Sequence, residues 1–239
     1  MAPAFEETNR VITFDYIGAG DSDRSAYDPR RYSSLAGYAD DILEICRALD
    51  LRDAILVGHS VSATIVMLAS IAEPARFRDL ILVTPSPRYL DDLPGYRGGF
   101  SRSDIDGLLG MMDLNAMGWA EVLAPVVMGN PDQPQLTREL ETTFCSIDPV
   151  MAREFARITF LGDNRDDLAA VTTPALIIQC SADAVAPPEV GAYLHGHLVG
   201  SRLTTIEASG HCPHVSHPTE TIAAIHAYLV ERRRDPAPG

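Results

Sequence analysis

The residue whose sequence surroundings best fit a role in catalysis is Ser60, in the run Gly58-His59-Ser60-Val61-Ser62. Apolar stretches precede and follow it, as in a strand that turns sharply into a helix and exposes its serine Oγ. Such a turn needs small residues two positions before and after, which Gly58 and Ser62 are, although Gly is more usual at the final position. The new helix directs its dipole and free N–H groups at the hydroxyl. This pattern predicts a nucleophilic serine with the Val61 N–H as oxyanion donor; a chance G-x-S-x-S in a turn is the alternative.

A serine hydroxyl needs a general base, and that base needs an acid to orient it. Asp183 follows the apolar run ALIIQC, and His211 follows LTTIEA, so each comes just after a predicted strand. The carboxyl ends of parallel strands meet at one edge of a sheet. We therefore expect Ser60, Asp183 and His211 to form a catalytic triad there. The alternative for Asp183 is an aspartate in a surface turn.

Two patterns suggest a cofactor, and neither is convincing. His211, His214 and His217 recur every third residue beside Cys212, but two prolines interrupt the helix that would align them and no matching carboxylates are apparent. A metal site therefore stays a minor alternative, and His214 and His217 are predicted to be structural. The stretch GAGDS is followed by Asp23, where a dinucleotide fingerprint requires its third glycine, which favours a tight turn. We predict no metal and no cofactor.

The elements that must position these residues alternate between strands and helices. Apolar, β-branched runs predict strands over residues 10–16, 54–57, 79–84, 174–180 and 202–208, and helical spacing predicts helices near 35–49, 61–72, 188–198 and 219–232. That alternation indicates an α/β fold with a mostly parallel sheet and helices on both faces. Residues 87–163 break the rhythm with helical patterns alone. We predict a core of residues 1–86 and 164–239, with residues 87–163 inserted as a helical cap.

Apolar residues of the cap are candidates for a substrate pocket above Ser60, together with two core residues near the proposed triad. The alternative is that the cap residues only pack its helices together. No Arg or Lys falls at a motif position near the triad, so a small apolar ester, lactone or acyl compound is the predicted substrate. The candidates are Phe100, Trp119, Leu123, Val126, Val127 and Phe160 from the cap, and His59 and Val185 from the core.

Composition excludes some partners and compartments. The net charge of −14 and the absence of a basic patch argue against nucleic acid. The four cysteines form no C-x-x-C pair, which fits a reducing compartment better than a disulfide framework. The apolar run 55–72 is interrupted by Gly, His and Ser residues, and the first residues lack an apolar signal core. We predict a cytoplasmic protein with no membrane partner.

Seven segments carry a resemblance to a known family: FDYIGAGDSD, VGHSVSA, MLASI, SPRYLDD, YRGGF, CSADAVAP and GHCPHVSHP. They resemble the α/β-hydrolase superfamily, and more specifically the RsbQ-type stress-response regulators of bacteria, which control a sigma factor and are relatives of the plant karrikin and strigolactone receptors. The resemblance implies an α/β-hydrolase fold with the triad Ser60, Asp183 and His211. It also implies a V of four cap helices over an apolar pocket, and a PAS-linked PP2C-type phosphatase as partner.

The same resemblance implies about three further strands and a Gly-rich, Phe-containing loop ahead of MAPAF, so the chain is expected to be N-terminally shortened. That loop would supply the second oxyanion N–H and a pocket wall. Three explanations stay open: a start further upstream, a shortened chain, or a protein that works with half of its oxyanion hole.

Three functions follow from these patterns. The leading hypothesis is a serine hydrolase with a signalling role as positive regulator of a stress-response phosphatase. The second is a metabolic esterase or C–C hydrolase without a signalling partner, and the third is a non-catalytic protein that binds a small ligand. Dehalogenase and epoxide hydrolase activities are disfavoured because those relatives have Asp where this chain has Ser60.

Overall fold

A computed structural model of the protein describes residues 1–115 and 118–234. Within these residues, four strands form one sheet in the order β1-β2-β3-β4, and every neighbouring pair is parallel. The carboxyl ends of all four strands therefore lie at the same edge. The strands are β1 (Ala54–His59), β2 (Phe77–Val83), β3 (Ala175–Ala182) and β4 (Arg202–Ser209).

Helices cover both faces of the sheet because successive strand residues point to opposite sides. The α-helices of the described residues are α1 (Leu35–Ala48), α2 (Val61–Ala72), α3 (Arg102–Leu114), α4 (Gly118–Met128), α5 (Pro134–Cys145), α6 (Pro149–Leu161), α7 (Pro188–His197), α8 (Pro213–Ser216) and α9 (Pro218–Arg234). In β2, Leu80 and Leu82 pack on the face that α1, α2 and α7 cover, whereas Ile81 and Val83 pack on the face that α9 covers.

The segment between β2 and β3 contributes the helices α3 to α6. These helices pack on one another through their own apolar cluster, which includes Ile105, Trp119 and Ala152. Their positions agree with the helical pattern read in residues 87–163, and we propose that this segment is a cap on a core formed by residues 1–86 and 164–239.

The strand predicted over residues 10–16 is wrong. That segment has no strand pairing, and a groove of about 750 Å³ lies between it and the edge strand β1. A strand exists only where a neighbour satisfies its backbone hydrogen bonds, and apolar, β-branched composition alone does not supply that neighbour. At this open edge, Val57 in β1 is 54% exposed.

In the described part of the chain, no helix combines the length and the apolar character needed to cross a bilayer.

Candidate active site

Ser60 lies at the sharp turn between β1 and α2, as its sequence predicts. Its backbone adopts φ +57° and ψ −125°, a conformation that residues with a side chain rarely take and that stores strain. The Ser60 N–H donates to the Val83 carbonyl, 2.9 Å away, which fixes the turn to the end of β2. A Cβ on Gly58 would lie 2.5 Å from the Ser62 carbonyl oxygen, so the turn admits only glycine there without a shift.

Ser60, His211 and Asp183 form a continuous chain of hydrogen bonds. The Ser60 Oγ is 2.6 Å from His211 Nε2, and His211 Nδ1 is 2.7 Å from Asp183 Oδ2. His211 and Asp183 are buried, with 2% and 7% of their surfaces exposed. A carboxylate only accepts, so His211 Nδ1 carries the proton and Nε2 presents a lone pair to the serine hydroxyl. In this tautomer His211 can act as a general base toward Ser60.

The second oxygen of Asp183 is held by its own loop. Its Oδ1 accepts hydrogen bonds from the backbone N–H groups of Val185 at 2.8 Å and Ala186 at 3.0 Å. These two donors orient the carboxylate, and the other oxygen is thereby directed at His211. The loop after β3 is thus built around the acid.

The loop that carries His211 is tied to the cap and to the strand ends. The backbone N–H of His211 donates to the Val127 carbonyl of α4 at 2.8 Å. The backbone carbonyl of His211 accepts from Thr84 Oγ1 at 2.9 Å and from His59 Nε2 at 2.6 Å. Gly210 has φ +88°, and a Cβ there would overlap the Met128 carbonyl, so glycine allows this close approach between cap and loop.

Two further histidines surround this loop. The ring centroid of His59 is 4.3 Å from that of His214 and 5.1 Å from that of His211. Burial lowers the pKa of His59 well below its ordinary value and lowers the pKa of His214 to about 4. Both rings are therefore neutral near pH 7, and they add no positive charge where His211 would become an imidazolium.

This arrangement predicts an acid-sensitive stability. His214 titrates at about pH 4 in the folded chain against 6.5 ordinarily. The contribution of neutral His214 to the free energy of unfolding is therefore present above pH 6.5 and is lost as the pH falls towards 4. In that range the unfolded chain binds a proton on this histidine that the folded chain does not bind. We expect His214→Phe, which keeps a neutral ring beside His59, to flatten the fall of Tm across that window. A Tm that falls as steeply in the variant as in the parent would contradict this.

The structure brings most of the predicted pocket residues together. Five of them belong to the apolar cluster that contains Tyr89: Phe100, Leu123, Val127, Phe160 and Val185. The hydroxyl of Tyr89 is 2.9 Å from Ser60 Oγ, so this cluster adjoins the serine.

Three other predicted residues are not part of this cluster. Trp119 stacks on Phe144 within the cluster that joins the cap helices, with ring centroids 5.1 Å apart. Val126 is 42% exposed. His59 contacts the His211 loop and the groove along β1. For Trp119 the alternative of cap packing describes its place better than a pocket does.

Val61, the predicted oxyanion donor, is the first residue of α2. N–H groups in the first turn of a helix have no carbonyl partner within it, so this group can donate to a ligand. Among the described side chains, no three His, Cys, Asp or Glu residues are grouped as a metal ion would require.

Sequence reasoning missed Tyr89 and Thr84. Thr84 directly follows β2 and Tyr89 comes five residues later, so both follow a predicted strand just as Asp183 and His211 do. That position at the carboxyl edge was the available signal. Neither residue type indicates a catalytic role by itself.

Comparison with known proteins shows the same fold. A model of the alpha/beta hydrolase family matches residues 1–225. The chain is 37% identical to a karrikin insensitive 2 receptor of Petunia hybrida over 94% of its own length and 82% of that protein. It is 36% identical to the strigolactone esterase RMS3 of Pisum sativum over 92% and 82% of the two chains. A hydrolase structure from Oleispira antarctica superposes with a TM-score of 0.94 at 42% identity, covering 96% of this chain and 84% of that one.

Proposed function

Because the chain belongs to the alpha/beta hydrolase family, whose fold it has, we propose that it is a serine hydrolase that cleaves small apolar esters with Ser60 as nucleophile. The observation that carries the proposal is the unbroken chain from Asp183 through His211 to Ser60, with distances of 2.7 and 2.6 Å. An esterase and a receptor stand among the relatives, so hydrolysis and ligand sensing are both precedented on this fold.

The geometry supports a two-step acyl transfer. Ser60 Oγ attacks the ester carbonyl carbon while its proton passes to His211 Nε2, and Asp183 stabilises the resulting imidazolium. The Val61 N–H donates to the oxyanion of the tetrahedral intermediate. Collapse breaks the ester C–O bond, and the leaving alkoxide takes the proton from Nε2. Water then attacks the acyl-enzyme with His211 again as base, which releases the acid and restores the serine hydroxyl.

The substrate class is inferred from the apolar cluster that adjoins the serine through Tyr89. Its side chains offer no charged group to a substrate, and they include Phe100, Leu123, Phe160 and Val185. Such a lining favours a small apolar ester, lactone or similar acyl compound over an anionic one.

Covalent labelling tests the proposal. We expect phenylmethylsulfonyl fluoride to add one sulfonyl group to the parent chain, seen by intact mass, because an activated serine attacks the sulfur and expels fluoride. Ser60→Ala should take up none. A parent chain that stays unlabelled, or a Ser60→Ala variant labelled at the same rate, would contradict the role of Ser60.

A signalling role is the second candidate, and the receptors among the relatives favour it. In this form the protein is an RsbQ-type positive regulator in the cytoplasm that activates a PAS-linked PP2C-type phosphatase. The partner rests on the resemblance of the sequence alone, whereas the compartment is also supported by Cys46, Cys145, Cys180 and Cys212, all free thiols. Phosphatase activity that rises with the parent chain and ligand, but not with ligand alone, would support this role. If phosphatase activity does not rise, the signalling role is contradicted and the metabolic esterase is favoured.

A further inference from the structure

A tyrosine that the proposed mechanism does not use lies against the nucleophile. The hydroxyl of Tyr89 is 2.9 Å from Ser60 Oγ, and the residue is 2% exposed. It lies between the end of β2 and the cap helices. The Ser60 Oγ therefore has two polar neighbours, Tyr89 and His211.

The protons at this oxygen can be assigned from its partners. Asp183 accepts the Nδ1 proton of His211, which leaves Nε2 as an acceptor. The single hydroxyl proton of Ser60 must then point to Nε2, 2.6 Å away. The remaining contact requires Tyr89 to be the donor and Ser60 Oγ the acceptor. Tyr89 thus points its O–H at the serine oxygen that attacks the substrate.

The phenol is held in place and keeps its proton. The Tyr89 ring packs edge-on against Phe160 with centroids 5.3 Å apart. The backbone carbonyl of Tyr89 accepts from the Phe100 N–H at 3.1 Å. Burial raises the pKa of Tyr89 well above its ordinary value, so the group stays a donor wherever the protein is folded. A donor fixed in advance costs no reorganisation during the reaction.

Attack on a carbonyl changes what this donor can reach. The Oγ lone pair becomes a C–O bond, and the substrate carbonyl oxygen becomes an oxyanion on the same tetrahedral carbon, one bond angle from Oγ. The strongest acceptor beside Tyr89 is then the oxyanion. We propose that the Tyr89 hydroxyl is a catalytic donor that shifts from Ser60 Oγ to the oxyanion and stabilises it together with the Val61 N–H. The phenol keeps its proton throughout, and the inference rests on the proposed serine-hydrolase function.

The test compares Tyr89→Phe with a matched control, Tyr96→Phe. Tyr96 is also a buried tyrosine of the same loop, but its hydroxyl donates to the Arg88 carbonyl at 2.7 Å. We expect Tyr89→Phe to lower the acylation and deacylation rate constants for p-nitrophenyl acetate by about 10²-fold, because both steps pass through an oxyanion. The dissociation constant of the substrate, obtained from KM by allowing for the two rate constants, should change little. Tyr96→Phe should keep both rate constants within about threefold of the parent, since its hydroxyl donates to a backbone carbonyl and not to Ser60.

A tetrahedral analogue separates this role from packing. A trifluoromethyl ketone adds to the serine and places an oxyanion in the site, so we expect Tyr89→Phe to weaken its inhibition by a similar factor of about 10² and Tyr96→Phe to leave it unchanged. Unchanged or faster turnover in Tyr89→Phe, or a loss confined to KM, would overturn the inference while leaving the proposed function standing. A parent chain that phenylmethylsulfonyl fluoride does not label would overturn both.

Discussion

Ser60→Ala is expected to lower kcat/KM for p-nitrophenyl acetate by about 10⁴- to 10⁶-fold, which is the largest effect that the structure predicts for a single substitution. Alanine removes the oxygen that forms the acyl bond and leaves His211 without a proton to accept. Only the oxyanion donors and substrate positioning remain, and these alone give the residual rate of triad enzymes that lack their nucleophile.

The variant should still fold, so the measurement is interpretable. The strained φ of +57° belongs to the turn and is the same burden for alanine as for serine. The lost Oγ contacts involve Tyr89 and His211, which keep their other packing and hydrogen bonds. Ligand-induced thermal stabilisation can therefore be measured in Ser60→Ala without turnover. A ligand that stabilises this variant and the parent equally, with no product formed by either, would favour the non-catalytic binding protein.

Ser62→Ala is the matched control for this experiment. It makes the same chemical change two residues along the same turn and keeps a small side chain at the position where the turn needs one. We expect it to retain activity within about threefold of the parent. If both variants lose activity equally, the turn and not the Ser60 hydroxyl is responsible. If Ser60→Ala keeps parental activity, Ser60 is not the nucleophile.

The sequence was sufficient to predict the residues that meet at the sheet edge. Ser60, Asp183 and His211 each follow an apolar run, and parallel strands bring such positions to one edge whatever the loop details are. The family match and the parallel sheet confirm the predicted α/β-hydrolase fold class. A topological rule could therefore bring Ser60 together with residues 123 and 151 positions further along the chain, without any knowledge of side-chain packing.

The contacts that refine the site were beyond such a rule. The tilted contact between the His59 and His214 rings depends on how α8 packs beside the end of β1. The bond from the His211 N–H to the Val127 carbonyl depends on how the cap is placed over the core. Nothing in the local sequence encodes that placement. The strand prediction for residues 10–16 was wrong for a related reason. A strand forms only beside a neighbouring strand, whereas composition indicates only the propensity to form one.

Asp183→Asn is expected to lower kcat by about 10⁴-fold while KM changes little. The reason lies in how the loop holds the carboxylate. Oδ1 accepts from the Val185 and Ala186 N–H groups, so the amide oxygen of asparagine must take that place. The amide NH₂ is then left facing His211 Nδ1. Two donors cannot face each other, and the imidazole responds by moving its proton to Nε2.

That change of tautomer removes the base without removing any residue of the site. With a proton on Nε2, His211 no longer accepts the hydroxyl proton of Ser60, and it has no carboxylate to stabilise an imidazolium. Labelling by phenylmethylsulfonyl fluoride should slow in parallel with kcat, because it depends on the same activation of Ser60. Thermal unfolding should show a folded protein, since the two backbone N–H groups keep their acceptor.

Asp91→Asn separates this argument from a general effect of losing a loop carboxylate. Asp91 also accepts from two successive backbone N–H groups, those of Gly98 at 2.9 Å and Gly99 at 3.0 Å, but it supports a loop of the cap segment and not His211. We expect its amide variant to keep kcat within about threefold of the parent. Both substitutions turn an acceptor of two backbone donors into an amide, but only Asp183 also faces His211 Nδ1. An equal loss of kcat in the two variants would contradict the tautomer argument, and a loss confined to Asp183→Asn would assign to that carboxylate the orientation of the base.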